Sequence, residues 1–273
     1  MTKNKIKIHP TTVIGKNVKI EDGVEIGPYT VIGENVRIGK NTRIESNVFI
    51  EKNSIIGEDN HIFPYVALGK DPQDLKYKGE ETFIKIGNSN RIREFVTIHR
   101  GTSEGGTTTI GNGNYIMAYS HIAHDCKVGN ETIFVNGATL AGHVEVYDFA
   151  TIGAFTGVHQ FTRIGKYSYI GGYSVITQDV VPFSRVVGAR PTYMLGLNSI
   201  GMRRRGFSRD SLEVLKNTFK FLFFSDLNTT QAIQKIENEL EKTEEVRELI
   251  DFINSSKRGI IKKISLEWEE ELV

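Results

Sequence analysis

The chain has 273 residues, a formal net charge of +1 and 39% hydrophobic residues. This length allows one large folded unit with a smaller addition, and the near-neutral charge argues against a nucleic-acid-binding protein. Apolar runs of about 18 residues are absent, and the N-terminal sequence lacks the apolar core of a signal peptide. The single cysteine, Cys126, excludes an intrachain disulfide framework. These features predict a cytoplasmic protein without a transmembrane segment.

A large apolar residue recurs at every sixth position, with two breaks. The series consists of Ile8, Ile14, Ile20, Ile26, Ile32, Ile38, Ile44, Ile50, Ile56, Ile62, Leu68, Ile86, Ile92, Ile98, Ile110, Ile116, Ile122, Val128, Phe134, Leu140, Val146, Ile152, Val158, Ile164, Ile170 and Ile176. A period of six fits neither a helix nor a two-faced strand. Many hexads also place Asn or Gly three residues after the aliphatic, which indicates a bend with positive φ. Three short strands per coil would stack the aliphatics inside a triangular prism, so the predicted fold is an all-β solenoid, a parallel β-helix.

The two breaks indicate inserted loops. If the hexads continued through them, Asp74 and Glu80 would lie in the core in the first break and Glu104 in the second. Burying an unpaired carboxylate costs several kcal/mol, roughly. We therefore predict loops inserted within single hexad steps, at about 69–85 and 99–109.

The hexads end after Ile176, and a helical spacing of apolar residues begins near Ser208. The sequence thus predicts a solenoid over 1–190 and a small helical C-terminal domain over 191–273. Helices are expected from about residue 208, at about 230–241 after the possible caps Thr229 and Thr230, and at about 244–255. The tail 258–273, which contains Trp268, shows no clear pattern.

The histidines fall into register once the loops are excised. Core positions three hexads apart then stack on one prism face: Leu68, Ile98, Ile122, Leu140 and Val158. Five of the seven histidines gather beside them: His99, His121, His124, His143 and His159. A single histidine is usually a surface or corner residue, but several titratable rings on neighbouring coils indicate a functional site. The triplet Arg203–Arg205 fits either a solvated face or a site for phosphate or carboxylate groups.

Six segments carry a family resemblance. They are QDLKYKGE (73–80), SNRIREFVTIHRGT (89–102), SHIAHDCKVGN (120–130), ATLAGHV (138–144), GVHQF (157–161) and RRRGFS (203–208). In this order, over nearly the whole chain, they resemble the UDP-N-acetylglucosamine O-acyltransferase family, whose members catalyse the first step of lipid A biosynthesis. The resemblance implies a left-handed β-helix, a homotrimer with active sites between subunits, and no cofactor. It also implies transfer of a 3-hydroxyacyl chain from acyl carrier protein to the glucosamine 3-position of UDP-N-acetylglucosamine.

The resemblance also implies roles for matched residues. His124 would be the general base, Asp125 its orienting partner, and the Gly142 N–H the oxyanion donor. Neighbouring strand residues point in opposite directions, so Asp125 can orient His124 only if a bend brings them together. The expected substrate-binding residues are Asp74, Lys76 and His121 toward the glucosamine, His143, Gln160, Asn198, Arg204 and Arg205 toward the nucleotide sugar, and Gly172 at the acyl groove. His99 is also expected to bind substrate.

One departure from the family concerns Ile200, which stands where some members carry an acidic residue toward the uracil. The sequence therefore does not predict which residues contact the nucleotide base. It also does not predict the acyl chain length, because Gly172 leaves room for a long chain whereas Tyr173 and Arg190 could shorten the groove. Three alternatives also stay open at this point. They are an N-acyltransferase acting on a 3-amino sugar nucleotide, a zinc enzyme of the hexapeptide carbonic anhydrase kind, and a structural or ice-binding solenoid.

Overall fold

The computed structural model describes residues 5–264, in which short strands form three sheets that are parallel except for the last strand of the first sheet. The first sheet contains, in order, β1 (Lys7–Ile8), β4 (Glu25–Ile26), β7 (Arg43–Ile44), β10 (His61–Ile62), β13 (Arg91–Ile92), β16 (Tyr115–Ile116), β19 (Ile133–Phe134), β22 (Thr151–Ile152), β25 (Tyr169–Ile170), β27 (Ser184–Val187) and β28 (Tyr193–Leu197). The second sheet contains β2 (Val13–Ile14), β5 (Val31–Ile32), β8 (Phe49–Ile50), β11 (Ala67–Lys70), β14 (Thr97–His99), β17 (His121–Ile122), β20 (Thr139–Leu140), β23 (Gly157–Val158) and β26 (Val175–Ile176). The third sheet contains β3 (Lys19–Ile20), β6 (Arg37–Ile38), β9 (Ser54–Ile56), β12 (Phe83–Ile86), β15 (Thr107–Ile110), β18 (Lys127–Val128), β21 (Glu145–Val146) and β24 (Arg163–Ile164). Each coil contributes one strand to each sheet, which is the predicted parallel β-helix.

The aliphatic of each hexad stacks on its equivalent in the next coil. In the first sheet Ile26 pairs with Ile44, and Ile44 pairs with Ile62. These side chains are almost completely buried, whereas Ile8 in the first coil is 42% exposed because no coil lies beneath it. The core is therefore a column of isoleucines along the prism axis, and burial of that column holds the coils in register.

The bends have the positive φ angles that the sequence indicates at Asn17 and Asn35, with values of 57° and 59°. Many later bends use aromatic residues in the same conformation, which the sequence did not indicate. Tyr65, Phe95 and Tyr119 stack in successive coils with ring centroids 5.0 and 4.9 Å apart. Stacking of these rings offsets the cost of placing a bulky residue at positive φ.

The two inserted loops lie where the hexads break. Ile86 of β12 pairs with Ile56 of β9, so the 12 extra residues fit within one step between consecutive faces of the prism. Ile110 of β15 then pairs with Ile86. Glu104, which continued hexads would have buried, is exposed in the second loop.

The chain leaves the solenoid through the antiparallel pair β27 and β28, after which four helices follow in the part that the structure describes. They are α1 (Ser199–Arg204), α2 (Arg209–Phe223), α3 (Thr229–Glu239) and α4 (Glu244–Asn254). The expected cap of α3 was wrong. Asn228 caps it, because the Asn228 side chain accepts from the Gln231 N–H at 2.9 Å and the Gln231 side chain accepts from the Asn228 N–H at 3.1 Å. None of the helices within residues 5–264 has the length and apolarity needed to cross a bilayer, and Trp268 lies outside the described residues.

A ladder of buried amides crosses four coils beside the isoleucine column. The Asn90 amide donates to Asn60 Oδ1 and to the Gly111 carbonyl, both at 3.0 Å, and Asn90 Oδ1 accepts from the Asn114 side chain at 2.9 Å. Thr132 ends the ladder by donating to Asn114 Oδ1 at 2.6 Å. Each buried polar atom thus has a partner in the adjacent coil.

We expect Asn90→Ala to lower the free energy of unfolding by about 1–3 kcal/mol, because buried donors of Asn114 lose their acceptor. The matched control is Asn112→Ala. Asn112 belongs to a similar ladder in contact with solvent, donating to Asn130 Oδ1 at 2.9 Å, and water can replace its partner. Urea unfolding of both variants checks the difference, and equal losses would contradict it.

Candidate active site

The histidine face lies on the second sheet and on the bends that lead from it to the third sheet. β14, β17, β20 and β23 are neighbours in that sheet. A groove of about 470 Å³ runs across β17, β20, β23 and the next strand of the sheet, β26. Its lining includes His121, His124, Gly142, His159 and Gln160, together with Gln73 from the first inserted loop. The first loop and four successive coils of one chain therefore meet at this groove.

His124 and Asp125 form a hydrogen-bonded pair. Asp125 takes a φ of 59°, so the chain turns at this point and the two side chains no longer point apart. His124 Nδ1 then lies 2.8 Å from Asp125 Oδ2. Because a carboxylate only accepts, the pair requires a proton on Nδ1 and leaves Nε2 as the basic nitrogen. The bend thus satisfies the condition on which the sequence-based pairing depended.

The second inserted loop donates hydrogen bonds to the Asp125 carboxylate. The Thr102 N–H lies 3.0 and 3.1 Å from its two oxygens, and the Thr102 hydroxyl donates to Oδ2 at 2.7 Å. Gly101 and Gly105 pack so closely that a Cβ on either would collide with this carboxylate. The sequence analysis missed Thr102. Its position in the glycine-rich insertion beside His99 was the available signal.

His143 completes a cluster with this pair. Its Nε2 lies 3.5 Å from Asp125 Oδ2, and its ring stacks on Phe161 with centroids 4.6 Å apart. The ring also meets His124 edge-on at 5.3 Å. Phe161 therefore fixes the plane of the His143 ring.

Gly142 lies directly beneath the His124 ring. A Cβ at this position would stand 2.5 Å from His124 Cε1, so only glycine lets the ring lie there. Within residues 5–264, the Gly142 N–H donates to no protein acceptor. The site thus has a free backbone donor beside the basic nitrogen of His124.

His99 in β14 lies one coil before His121, which is in β17 just ahead of His124. The two rings meet edge-on with centroids 4.9 Å apart, and His121 Nδ1 lies 2.7 Å from the Thr97 hydroxyl. Burial, followed by the nearby His121 and His124, lowers the pKa of His99 from its ordinary 6.5 to about 4. Burial, followed by His124, also lowers the pKa of His121. Both rings are therefore neutral hydrogen-bonding groups near neutral pH.

Asp74 and Lys76 lie at the turn of the first loop, next to the groove-lining Gln73. The Lys76 N–H donates to Asp74 Oδ1 at 2.9 Å, which closes a tight local turn. Asp74 is half-buried and Lys76 is exposed. The loop thus carries one acid and one base close in sequence to the groove-lining Gln73.

Three predicted site residues lie elsewhere on the same chain. Asn198 caps α1 and donates to the Tyr167 carbonyl at 2.8 Å. Arg204 is exposed on α1, and Arg205 lies over the Phe149 ring at 4.8 Å. Tyr167 and Phe149 belong to bends between the third and first sheets, a different corner of the prism from that of His124. One chain alone does not bring Asn198, Arg204 and Arg205 to the histidines.

Gly172 occupies a third corner, in the bend between the first and second sheets. It is exposed, and a Cβ there would lie 3.2 Å from the Ala154 carbonyl. Arg190, by contrast, lines the histidine groove, at the end formed by Val175 and Thr177. A larger cavity of about 920 Å³ between β28 and α2 has none of the site histidines in its lining.

A group of possible metal ligands also exists at the site. Ligand atoms of His124, Asp125 and His143 all lie within 4.8 Å of one another. Such a set suits zinc in its chemistry. However, Asp125 Oδ2 already accepts from Thr102 and His124, so its lone pairs are used within the protein.

Comparison with known proteins gives a consistent assignment. A family model described as Udp N-acetylglucosamine O-acyltransferase, Domain 2, matches residues 179–261, and one for the bacterial transferase hexapeptide matches 5–40 and 107–142. A relative from Thiobacillus denitrificans is 49% identical over 93% of this chain and 99% of its own length. One from Burkholderia orbicola is 49% identical over 94% and 99%. Both are called acyl-[acyl-carrier-protein]–UDP-N-acetylglucosamine O-acyltransferase.

Solved structures agree. A UDP-N-acetylglucosamine O-acyltransferase from Moraxella catarrhalis is 44% identical, covers 93% of this chain and 99% of its own, and superposes with a TM-score of 0.89. A UDP-N-acetylglucosamine acyltransferase from Francisella novicida is 38% identical over 96% and 98%, with a TM-score of 0.90. The left-handed parallel β-helix with a small helical C-terminal part is confirmed. The chain belongs to the UDP-N-acetylglucosamine O-acyltransferase family.

Proposed function

We propose that the protein transfers a 3-hydroxyacyl chain from acyl carrier protein to the 3-hydroxyl of the glucosamine of UDP-N-acetylglucosamine, the first step of lipid A biosynthesis. Its relatives are O-acyltransferases named for both substrates. The observation that carries the mechanism is the His124–Asp125 pair, 2.8 Å apart, lying over the N–H of Gly142. Acyl transfer to a neutral hydroxyl needs a base and an oxyanion donor at adjacent positions.

In the proposed reaction His124 Nε2 removes the proton of the sugar hydroxyl as its oxygen attacks the thioester carbonyl. The new C–O bond forms, and the carbonyl oxygen becomes an oxyanion that accepts from the Gly142 N–H. As the C–S bond breaks, the imidazolium returns its proton to the departing thiolate of the carrier. Asp125 stabilises the imidazolium and keeps its ring in place, because Thr102 and His124 fix the carboxylate.

The sugar would bind on the side where the first loop meets the second sheet. Asp74 and Lys76 supply charged hydrogen-bonding groups there. His99 and His121 supply neutral imidazoles, since burial lowers the pKa of both rings. His143 and Gln160 border the opposite end of the cluster and are proposed to contact the nucleotide sugar.

The pyrophosphate would be held by a second copy of the chain. Asn198, Arg204 and Arg205 lie at a different corner from His124, so a site containing all of them requires two subunits. A homotrimer arranged around a three-sided prism would give three such sites, each with histidines from one chain and arginines from its neighbour. Ile200, 49% exposed on α1, would then lie beside the bound nucleotide without offering a polar group.

The acyl chain would extend from the thioester past Thr139 and Gly157 toward Arg190, along the small residues of the second sheet. Gly172 adds no bulk at the neighbouring corner. Tyr173, 72% exposed, and Arg190 are the side chains that would limit its length. The proposal includes no cofactor and no metal, and it places the reaction in the cytoplasm.

We expect His124→Ala to lower kcat by about 10²–10⁴, because removing a general base costs this much. His124→Asn should not restore the rate, since an amide cannot accept the proton. His61→Ala is the control, because His61 pairs with Glu45 away from the groove. Mass spectrometry of products from UDP-N-acetylglucosamine and its 3-amino analogue measures the rate and separates O-acylation from N-acylation.

Wild-type activity should survive exhaustive treatment with EDTA. Loss of activity on chelation with recovery in zinc would contradict the metal-free mechanism and support the His124, Asp125 and His143 group as a metal site. A His124→Ala enzyme that keeps more than about a third of the rate would contradict the role of the base.

Light scattering should give about three times the chain mass of 30.7 kDa. Co-expression of His124→Ala with Arg205→Ala should yield active mixed trimers, although each variant alone is impaired at low nucleotide-sugar concentration. Activity returns because some sites combine an intact His124 with an intact Arg205 from the neighbour. Mixing the separately purified trimers is the control, and a fully active monomer would exclude the shared site.

The buried histidines predict how stability depends on pH. The unfolded chain takes up a proton at His99 below the ordinary pKa of 6.5, whereas the folded chain does so only near 4. The unfolded state binds more protons in this window, so stability falls as pH falls through it. Urea unfolding should show a shallower fall for His99→Gln than for the wild type. An identical pH dependence would show that His99 is not the group responsible.

A further inference from the structure

The first inserted loop has few bonds of its own to the solenoid. Its internal hydrogen bonds are local, from the Lys76 N–H to Asp74 Oδ1 and from the Lys78 N–H to Glu80 Oε2, each at 2.9 Å. A loop with such bonds alone would sample many positions relative to the coil. Asp74 and Lys76 can contact a sugar in a defined geometry only if another group fixes the loop.

Arg100 provides that connection. It is 3% exposed and lies at the root of the second loop, with its N–H donating to the Lys70 carbonyl at 3.1 Å. Its Nη1 donates to the Gly69 carbonyl at 2.8 Å, and its Nη2 contacts the Asp71 carboxylate. One guanidinium thus holds the point at which the chain leaves β11.

The same guanidinium also reaches the far half of the loop. Nε and Nη2 donate to the Tyr77 hydroxyl at 3.2 and 3.0 Å, and that hydroxyl donates to the Glu80 carbonyl at 2.9 Å. Within residues 5–264, Arg100 is the one residue outside 70–82 that forms a hydrogen bond or ion pair with a side chain of the segment 71–80. The planar fork of arginine can serve three partners at once, whereas a lysine ammonium on a flexible stem cannot reproduce this geometry.

We propose that Arg100 is a positioning residue for substrate binding: it clamps both halves of the loop 71–80 so that Asp74 and Lys76 face the groove. The inference rests on the proposed function for the identity of the substrate. The clamp itself is independent of it. Because Arg100 precedes Thr102 by two residues, the root of the second loop fixes the first loop on one side and the Asp125 carboxylate on the other.

Kinetics should separate positioning from catalysis. We expect Arg100→Ala to raise the KM for UDP-N-acetylglucosamine roughly tenfold or more, with kcat changed much less, because the base and oxyanion donor are untouched. Arg100→Lys should give an intermediate KM, and added methylguanidinium should restore part of the affinity in Arg100→Ala. The matched control is Arg93→Ala. Arg93 pairs with Glu94 at 2.9 Å without contact to the loop, so its KM should stay near that of the wild type.

Hydrogen exchange tests the clamp without any substrate. The amides of Lys76 and Lys78 should exchange faster in Arg100→Ala than in the wild type or in Arg93→Ala, with amides of the isoleucine column unchanged. Tyr77→Phe keeps Arg100 but removes the hydroxyl that accepts from it, so the loop amides should also exchange faster, to a smaller extent. This variant replaces Arg100→Ala in the test if Arg100→Ala does not fold. Unchanged loop exchange in both variants would overturn the proposal. Faster loop exchange in an enzyme that does not acylate UDP-N-acetylglucosamine would refute the proposed function and leave the clamp standing.

Discussion

The structure depends on one constraint, the burial of an aliphatic side chain at every sixth position. Ile62, Ile92 and Ile116 pair in register in the first sheet, although the first loop separates two of them in sequence. A slip by one residue would turn these side chains outward and expose the column. Because the register is so strongly fixed, every outward position is fixed with it. His121 and Thr139 lie opposite each other in successive coils for this reason alone.

The proposed catalytic pair, His124 and Asp125, lies at a bend between two strands of the solenoid. A strand would direct His124 and Asp125 to opposite sides, but the left-handed conformation of Asp125 brings them to 2.8 Å. A non-glycine residue in this conformation is unfavourable by roughly 1–2 kcal/mol, and Asp tolerates it better than most residues. The Thr102 N–H and hydroxyl and the rings of His124 and His143 contact the Asp125 carboxylate and offset that cost. The bend at Asp125 therefore becomes the element that orients the base.

The sequence predicts those features that follow from periodicity. The phase of the isoleucines locates the coils and the face shared by His99, His121, His124 and His143, because position within a hexad determines direction. The hexad pattern does not show that Thr102 contacts Asp125, because Thr102 lies in a glycine-rich insertion without a repeat that would define the direction of its side chain. The hexad pattern also does not predict at which corner of the prism Arg205 lies. That corner depends on the antiparallel return of β28, which the hexad pattern does not describe.

The two insertions make the site more specific than a hexapeptide prism can be. Regular coils offer flat faces with side chains about 5 Å apart, and such a face has no depth with which to surround a sugar. The first loop adds a wall to the groove, and the second loop adds hydrogen-bond donors behind the Asp125 carboxylate. Both loops are rooted near Arg100, which is buried in the coil between β11 and β17. A rigid column thus supports two irregular segments whose roots meet at Arg100, and the precision of the site follows from the stiffness of the column that carries it.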